Sequence, residues 1–95
     1  MTKEKVYSLV KKIPKGRVTT YKEIAKLVGT SPRAVGRILS QNLDLKNIPC
    51  YRVVRSDGSI GGYKLGKKNK IKLLKGDGIK IERGKINLKK YLFGF

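Results

Sequence analysis

Apolar residues recur at helical spacing at the start of the chain. Val6, Leu9, Val10 and Ile13 share one face, with lysines on the other. This predicts a helix over residues 3–12, stopped by Pro14-Lys15-Gly16, and Arg17-Val18-Thr19 after it is short and β-prone. Thr20-Tyr21-Lys22-Glu23 has the form of a capping box, in which the side chains of Thr20 and Glu23 each take a backbone N–H that has no partner within the helix. It opens a helix with Ile24, Ala25, Leu27 and Val28 facing inward, closed by Gly29. Ser31 suits the N-cap and Pro32 the first turn of a further helix, Arg33 to Gln41.

Two short helices joined by Gly-Thr-Ser-Pro form a helix-turn-helix. The second is the recognition helix, with Arg33 and Arg37 one turn apart. Gly36 inside it costs up to about 1 kcal/mol relative to alanine, which close approach to another backbone would justify. Residues 41–47 are a loop leading into Ile48-Pro49-Cys50-Tyr51-Arg52-Val53-Val54. Proline disfavours helix before it and has no N–H, so Cys50 falls where an irregular segment enters a buried strand at Val53-Val54. Ser56-Asp57-Gly58-Ser59 is a turn, and the backbone of Ile60-Gly61-Gly62-Tyr63 can lie close to a ligand. Residues 67–75 form a basic helix with Ile71, Leu73 and Leu74 available for packing, ended by Gly76-Asp77-Gly78. Ile79–Glu82 and Lys85–Leu88 alternate around Arg83-Gly84 as a hairpin. The apolar tail Tyr91–Phe95 is expected to pack on the domain. The fold class is mainly α with small β elements: a winged-helix-like domain containing a helix-turn-helix, spanning 1–95 as one unit.

The chain has 24 Lys and Arg against 6 Asp and Glu, a net charge of +18 and a pI near 10.4. Such a balance points to a polyanion, most often nucleic acid, although lysine is also enriched in proteins from hot environments. At 95 residues the chain buries only roughly 60–65% of its unfolded surface, so the core is modest. One cysteine makes no internal disulfide, and with no histidine a zinc site is ruled out. No run is apolar enough to span a bilayer and the first five residues lack a signal-peptide core. The expectation is a soluble intracellular protein without metal or cofactor. The thiol of Cys50, two residues from Arg52, has the setting of a nucleophile activated by positive charge; it serves equally as a small apolar core residue.

Taken in order, Ile13-Pro14-Lys15-Gly16, Val18-Thr19-Thr20-Tyr21, Arg33-Ala34-Val35-Gly36, Asn42, Ile48-Pro49-Cys50, Arg52-Val53-Val54 and Gly58-Ser59-Ile60-Gly61-Gly62-Tyr63 resemble the DNA-binding domain of the O6-alkylguanine-DNA alkyltransferases. The likeness covers roughly residues 3–78, and the family's N-terminal domain has no counterpart here. The resemblance implies a single-turnover repair protein that binds double-stranded DNA, flips O6-alkylguanine out of the stack and moves the alkyl group irreversibly to Cys50. Arg33 matches the arginine that fills the gap, and Tyr21 the tyrosine that assists flipping and donates towards the guanine ring. Thr20, Ala34, Gly36 and Arg37 complete the DNA-facing set, the small residues suiting a helix laid in the minor groove. Asn42 braces the turn before the active-site loop. The carbonyls of Cys50 and Val53 would read the guanine amino group, with Leu39, Tyr63, Lys64 and Leu65 around the pocket. A monomer is implied, cytoplasmic and nucleoid-associated, or nuclear in a eukaryote.

The chain departs from the family at its reacting centre. Tyr51 replaces the histidine that normally follows the cysteine, and Asp77 stands for the usual glutamate. A tyrosine is a poor base near neutrality, but its hydroxyl can pass a proton on, which suggests a relay from Cys50 through water and Tyr51 to Asp77. Leu65, where glycine is common, is expected to narrow the entrance and favour methyl adducts. Two other functions fit parts of the chain: a non-enzymatic alkyltransferase-like protein that binds the lesion and recruits repair factors, and an ordinary helix-turn-helix regulator. Proteins of the first kind typically lack the cysteine, and the second does not account for the Pro-Cys run.

Overall fold

A two-residue strand divides the molecule. The computed structural model describes residues 2–95. In it β2 (Val53–Val54) runs parallel to β1 (Thr19–Thr20), with Thr19 opposite Val53 and Thr20 opposite Val54. Successive strand side chains point to opposite faces, so the two fully buried valines enter different cores. Val53 joins Val6 and Val10 of α1 (Thr2–Lys11), Ile24 and Ala25 of α2 (Tyr21–Val28) and Val35 and Leu39 of α3 (Pro32–Ser40). Val54 joins Val18, Ile60, Leu74 of α4 (Lys67–Gly76), Ile79, Ile86 and Tyr91.

The Thr20 and Ser31 caps of the helix-turn-helix form, but of the expected capping box only the Thr20 half is made: among the described residues the Glu23 carboxylate does not reach the Thr20 N–H, which lies in β1. Thr20 Oγ1 accepts from the Glu23 N–H at 3.0 Å and Ser31 Oγ from the Ala34 N–H at 3.1 Å, each cap contributing about 1 kcal/mol. Gly29 closes α2 in the left-handed region at φ 85°. Leu27, expected inward, is 54% exposed; it lies beside the arc formed by Ile24, Ala25 and Val28. On α4, Leu73 is likewise turned outward, and the largest fully buried side chain is Lys70.

The hairpin consists of β3 (Ile81–Glu82) and β4 (Lys85–Ile86). Arg83 and Gly84 between them have φ of 54° and 75°, the turn whose twist suits a two-residue hairpin. The strands are shorter than the alternation suggests because helix ends claim their neighbours. Ile79 donates its N–H to Leu74 at the close of α4, and Asn87 caps α5 (Leu88–Tyr91). Hairpin and tail clamp the centre from behind. Ile86 N–H reaches Gly58 O at 2.8 Å, Val18 N–H reaches Tyr91 O at 2.9 Å, and Phe93 N–H reaches Val18 O at 2.7 Å. The tail packs through Tyr91 and Phe93, while Leu92 and Phe95 remain partly exposed.

Gly58 and Gly29 separate backbone strain from crowding. Both have positive φ, but a Cβ on Gly58 would lie 2.5 Å from Ile86 O, and one on Gly29 meets nothing within 4 Å. Gly58→Ala is expected to destabilise the protein by about 2 kcal/mol more than Gly29→Ala in urea unfolding. Equal losses would mean that the hairpin does not press on this turn.

Candidate active site

Proline delivers the cysteine. Pro49 has φ −78° and ψ 69°, the geometry of an inverse γ-turn, which the pyrrolidine ring favours by fixing φ. Across it the Cys50 N–H donates to Ile48 O at 2.8 Å. A 3-10 turn, Cys50–Arg52, then leads into β2, and the Val53 N–H donates to Cys50 O. Asn42, just beyond α3, is buried. Its Nδ2 donates to the same Ile48 carbonyl at 3.0 Å and its Oδ1 accepts from the Asp44 N–H at 2.9 Å. Asn42 thus ties the end of α3 to the loop that carries Cys50.

Cys50, 6% exposed, lies on a cavity of about 560 Å³ that α3 and the glycine loop enclose with Tyr21, Leu39, Tyr63 and Lys64. Exposed Arg33 and Ser40 border it along α3, and Arg55 and Gly62 lie opposite. The size lies within the range of small-molecule sites. Arg37 is exposed one turn beyond Arg33 and Ala34 is half-buried beside it. The Tyr21 ring sits in a slot between two glycines. A Cβ on Gly36 would lie 4.0 Å from one ring edge, and a Cβ on Gly61 3.3 Å from the other. The backbone approach expected at Gly36 is therefore not made within this chain; its nearest neighbour is the Tyr21 side chain.

Three expected site residues are placed differently. Thr20 is buried, with its hydroxyl committed to capping α2. The Val53 side chain is in the core, and only its carbonyl faces polar groups. Leu65 does not line the Cys50 cavity. The chain turns at Tyr63–Gly66, where Gly66 N–H donates to Tyr63 O; this sends Lys64 to Asn42 O at 3.1 Å and Leu65 into a separate depression with Lys15, Asn69 and Leu73.

Lys70 was not foreseen. It sits on the Ile71/Leu74 side of α4, and its neighbours in a lysine-rich helix disguise it. Its Nζ donates to Val53 O at 2.7 Å, Gly62 O at 3.1 Å and Tyr21 Oη at 3.3 Å. Three acceptors match the three protons of an ammonium. Burial drives its pKa down to about 7, with Arg55 acting in the same direction and Cys50 against it. Burial likewise raises the Cys50 thiol, opposed by the Asn42 hydrogen bond and by the charges of Lys70 and Lys64. Tyr21 is raised, first by burial and then by Cys50.

On the other side of the 3-10 turn, Asp77 Oδ2 accepts from Tyr51 Oη at 2.8 Å and from Arg52 Nε at 3.0 Å. Arg52 also donates to Ile13 O at 2.9 Å. Burial and the bond to Asp77 push the Tyr51 hydroxyl up to about 12, so it stays protonated, donating to Asp77, and offers no free base to the thiol. A proton passed on to Asp77 would also cancel the charge that holds Arg52. The geometry of the three is that of a brace between the cysteine turn, the end of α1 and the end of α4.

Tyr51→Phe is expected to cost about 1 kcal/mol of stability, the ordinary worth of one hydrogen bond. Asp77→Ala, which strands Arg52 at 16% side-chain exposure, is expected to cost about 3 kcal/mol. Chemical denaturation of the two variants checks the ranking, and equal losses would contradict the brace.

Residues 1–79 match the family described as 6-O-methylguanine DNA methyltransferase, DNA binding domain. A bifunctional methyltransferase/endonuclease of Picrophilus torridus is 52% identical over 90 residues, which are 93% of this chain and 30% of that protein. A methylated-DNA–protein-cysteine methyltransferase of Saccharolobus solfataricus is 55% identical over 76 residues, 80% of this chain and 50% of that protein. The chain thus spans half or less of these relatives. Among solved structures, S. pombe Atl1 in complex with damaged DNA containing O6-carboxymethylguanine superposes with a TM-score of 0.87 at 30% identity, covering 99% of this chain and 95% of that one. The O6-methylguanine-DNA methyltransferase of Pyrococcus kodakaraensis gives a TM-score of 0.70 at 40% identity, covering 81% and 46%. The helix-turn-helix, the Pro-Cys turn and the glycine loop all lie inside the matched residues, and the chain belongs to the 6-O-methylguanine DNA methyltransferase family through its DNA-binding domain.

Proposed function

We propose that the protein binds duplex DNA, draws an O6-alkylguanine into the cavity beside α3 and transfers the alkyl group to Cys50. The observation that carries this reading is the position of the one cysteine. It is buried at the edge of the helix-turn-helix core and also lines a cavity flanked by α3. A guanine oxygen is out of reach inside a duplex, so the base must leave the stack at a cost of a few kcal/mol. Contacts from a chain of net charge +18 and an inserted side chain offset that cost. Arg33, on the cavity rim at the start of α3, is the inserted residue, and Arg37 lies along the same exposed face.

The carbonyl of Cys50, which accepts from the Val53 N–H, and that of Val53, which accepts from Lys70, are the acceptors proposed for the guanine amino group, each oxygen having two lone pairs. Tyr21 donates towards the ring as the base leaves. The thiolate attacks the alkyl carbon, the carbon–oxygen bond breaks and guanine departs with the electron pair. The sulfur becomes a thioether, so each molecule reacts once. No metal or cofactor enters, and a monomer presents every residue named. Among the described residues no helix is long and apolar enough to cross a membrane.

The second reading is lesion binding without transfer. It is favoured by the match to Atl1, which spans nearly all of both chains, whereas the match to the Pyrococcus enzyme covers 81% of this one. Cys50 at the cavity favours transfer.

The decisive experiment incubates the protein with an oligonucleotide duplex containing O6-methylguanine and weighs the tryptic peptide that contains Cys50. A gain of one methyl group is expected, lost in Cys50→Ala. Tight binding of the lesion with no mass gain would establish the second reading.

A further inference from the structure

Attack on carbon needs a thiolate, and this chain has no histidine to make one. Of the basic groups around the cavity, Arg33, Arg55 and Lys64 are exposed, and a guanidinium does not give up or take a proton at working pH. Lys70 is different in kind. It is fully buried, and it is tied to the cysteine turn because its acceptor Val53 is the residue whose N–H bonds to Cys50 O. It also touches two groups on the cavity wall, Gly62 O and Tyr21 Oη. Buried charge requires compensation. The anion that favours charge on Lys70 is Cys50, and the cation that most favours charge on Cys50 is Lys70, ahead of Lys64.

We infer that Lys70 replaces the missing imidazole: its Nζ bonds to Val53, Gly62 and Tyr21 rather than to the sulfur, so the Cys50 proton reaches the amine through a bridging water, and the positive charge holds the thiolate ready beside the cavity. The sulfur–hydrogen bond breaks and a nitrogen–hydrogen bond forms, giving a thiolate and an ammonium in place of a thiol and an amine. The later steps rest on the alkyltransferase reading. Sulfur bonds to the alkyl carbon, the carbon–oxygen bond of the adduct breaks, and the guanine anion takes a proton from Tyr21. The ammonium returns one to Tyr21 across the 3.3 Å contact. The thiol proton thereby ends on guanine, Lys70 is again neutral beside a thioether, and no other reactant is consumed. Lys70 acts on the sulfur through charge, without touching the substrate.

The titratable and charged groups that face this pair are Tyr21 and Arg55 around Lys70, and Lys64, Tyr7 and Tyr63 around Cys50. The test uses thiol reactivity, which needs neither DNA nor transfer. Alkylation of Cys50 by iodoacetamide is followed against pH in the wild type, in Lys70→Met and in the exposed-site control Lys75→Met, with folding checked by circular dichroism. Lys70→Met is expected to move the alkylation midpoint to higher pH and to slow alkylation at neutrality by about tenfold or more, since one pK unit is a tenfold change in thiolate. Lys75→Met is expected to match the wild type. If Lys70→Met does not fold, Lys70→Gln, which keeps two donors without the charge, gives the same readout. An unshifted midpoint in the folded variant overturns the inference. Methyl transfer from O6-methylguanine in duplex DNA, assayed separately on the wild type, tests the alkyltransferase reading: a Lys70-dependent thiol without transfer defeats that reading alone, and transfer with a Lys70-independent thiol defeats this inference alone.

Discussion

One buried ammonium ties three segments together. Lys70 comes from α4, and its three hydrogen bonds end on β2, the glycine loop and α2. The glycine loop and Tyr21 of α2 line the Cys50 cavity, and β2 follows directly on the cysteine turn. A lysine taken wholly from water is costly, and its removal takes a donor from three polar groups, of which Tyr21 Oη and Gly62 O keep only their 3.4 Å bond to each other. The arrangement is therefore specific: the cavity keeps its shape only while the amine stays where these acceptors meet. The same charge lowers the Cys50 thiol against the effect of burial. Geometry and reactivity depend on one side chain.

The two-core architecture explains how so small a domain supports this. Val53 and Val54 pack on opposite sides of β2, so the helix-turn-helix and the α4-hairpin unit meet at the strand that follows Cys50. The Tyr51, Arg52 and Asp77 bonds close the seam on one side and Lys70 closes it on the other. The end of α3 is in this way coupled to the cysteine turn through Asn42 and a single carbonyl, Ile48 O.

Most of the fold is legible in the sequence because it is carried by local chemistry. Thr20 and Ser31 announce helix starts, Gly29 an end, Pro49 a turn and Arg83-Gly84 a hairpin, each through its own backbone preference. The placement of Leu27 and Leu73 is not legible, since apolar spacing defines an arc and tertiary packing chooses its edge. Leu65 escapes for a related reason: which way a residue points after a glycine turn depends on contacts with distant segments. Lys70 is the instructive case. In a helix with five lysines composition gives no sign of which one is inside, and the Ile71/Leu74 face marks the position only once a lysine is allowed to be core.

The most direct test follows the amine itself. The side-chain nitrogen of Lys70 is titrated by NMR in the free protein and after Cys50 has been chemically S-methylated. With its counter-ion converted to a neutral thioether, Lys70 is predicted to lose its proton at a distinctly lower pH than before. A midpoint that is the same in both forms, or one near the ordinary lysine value of about 10.4, would contradict a proton shared between the two.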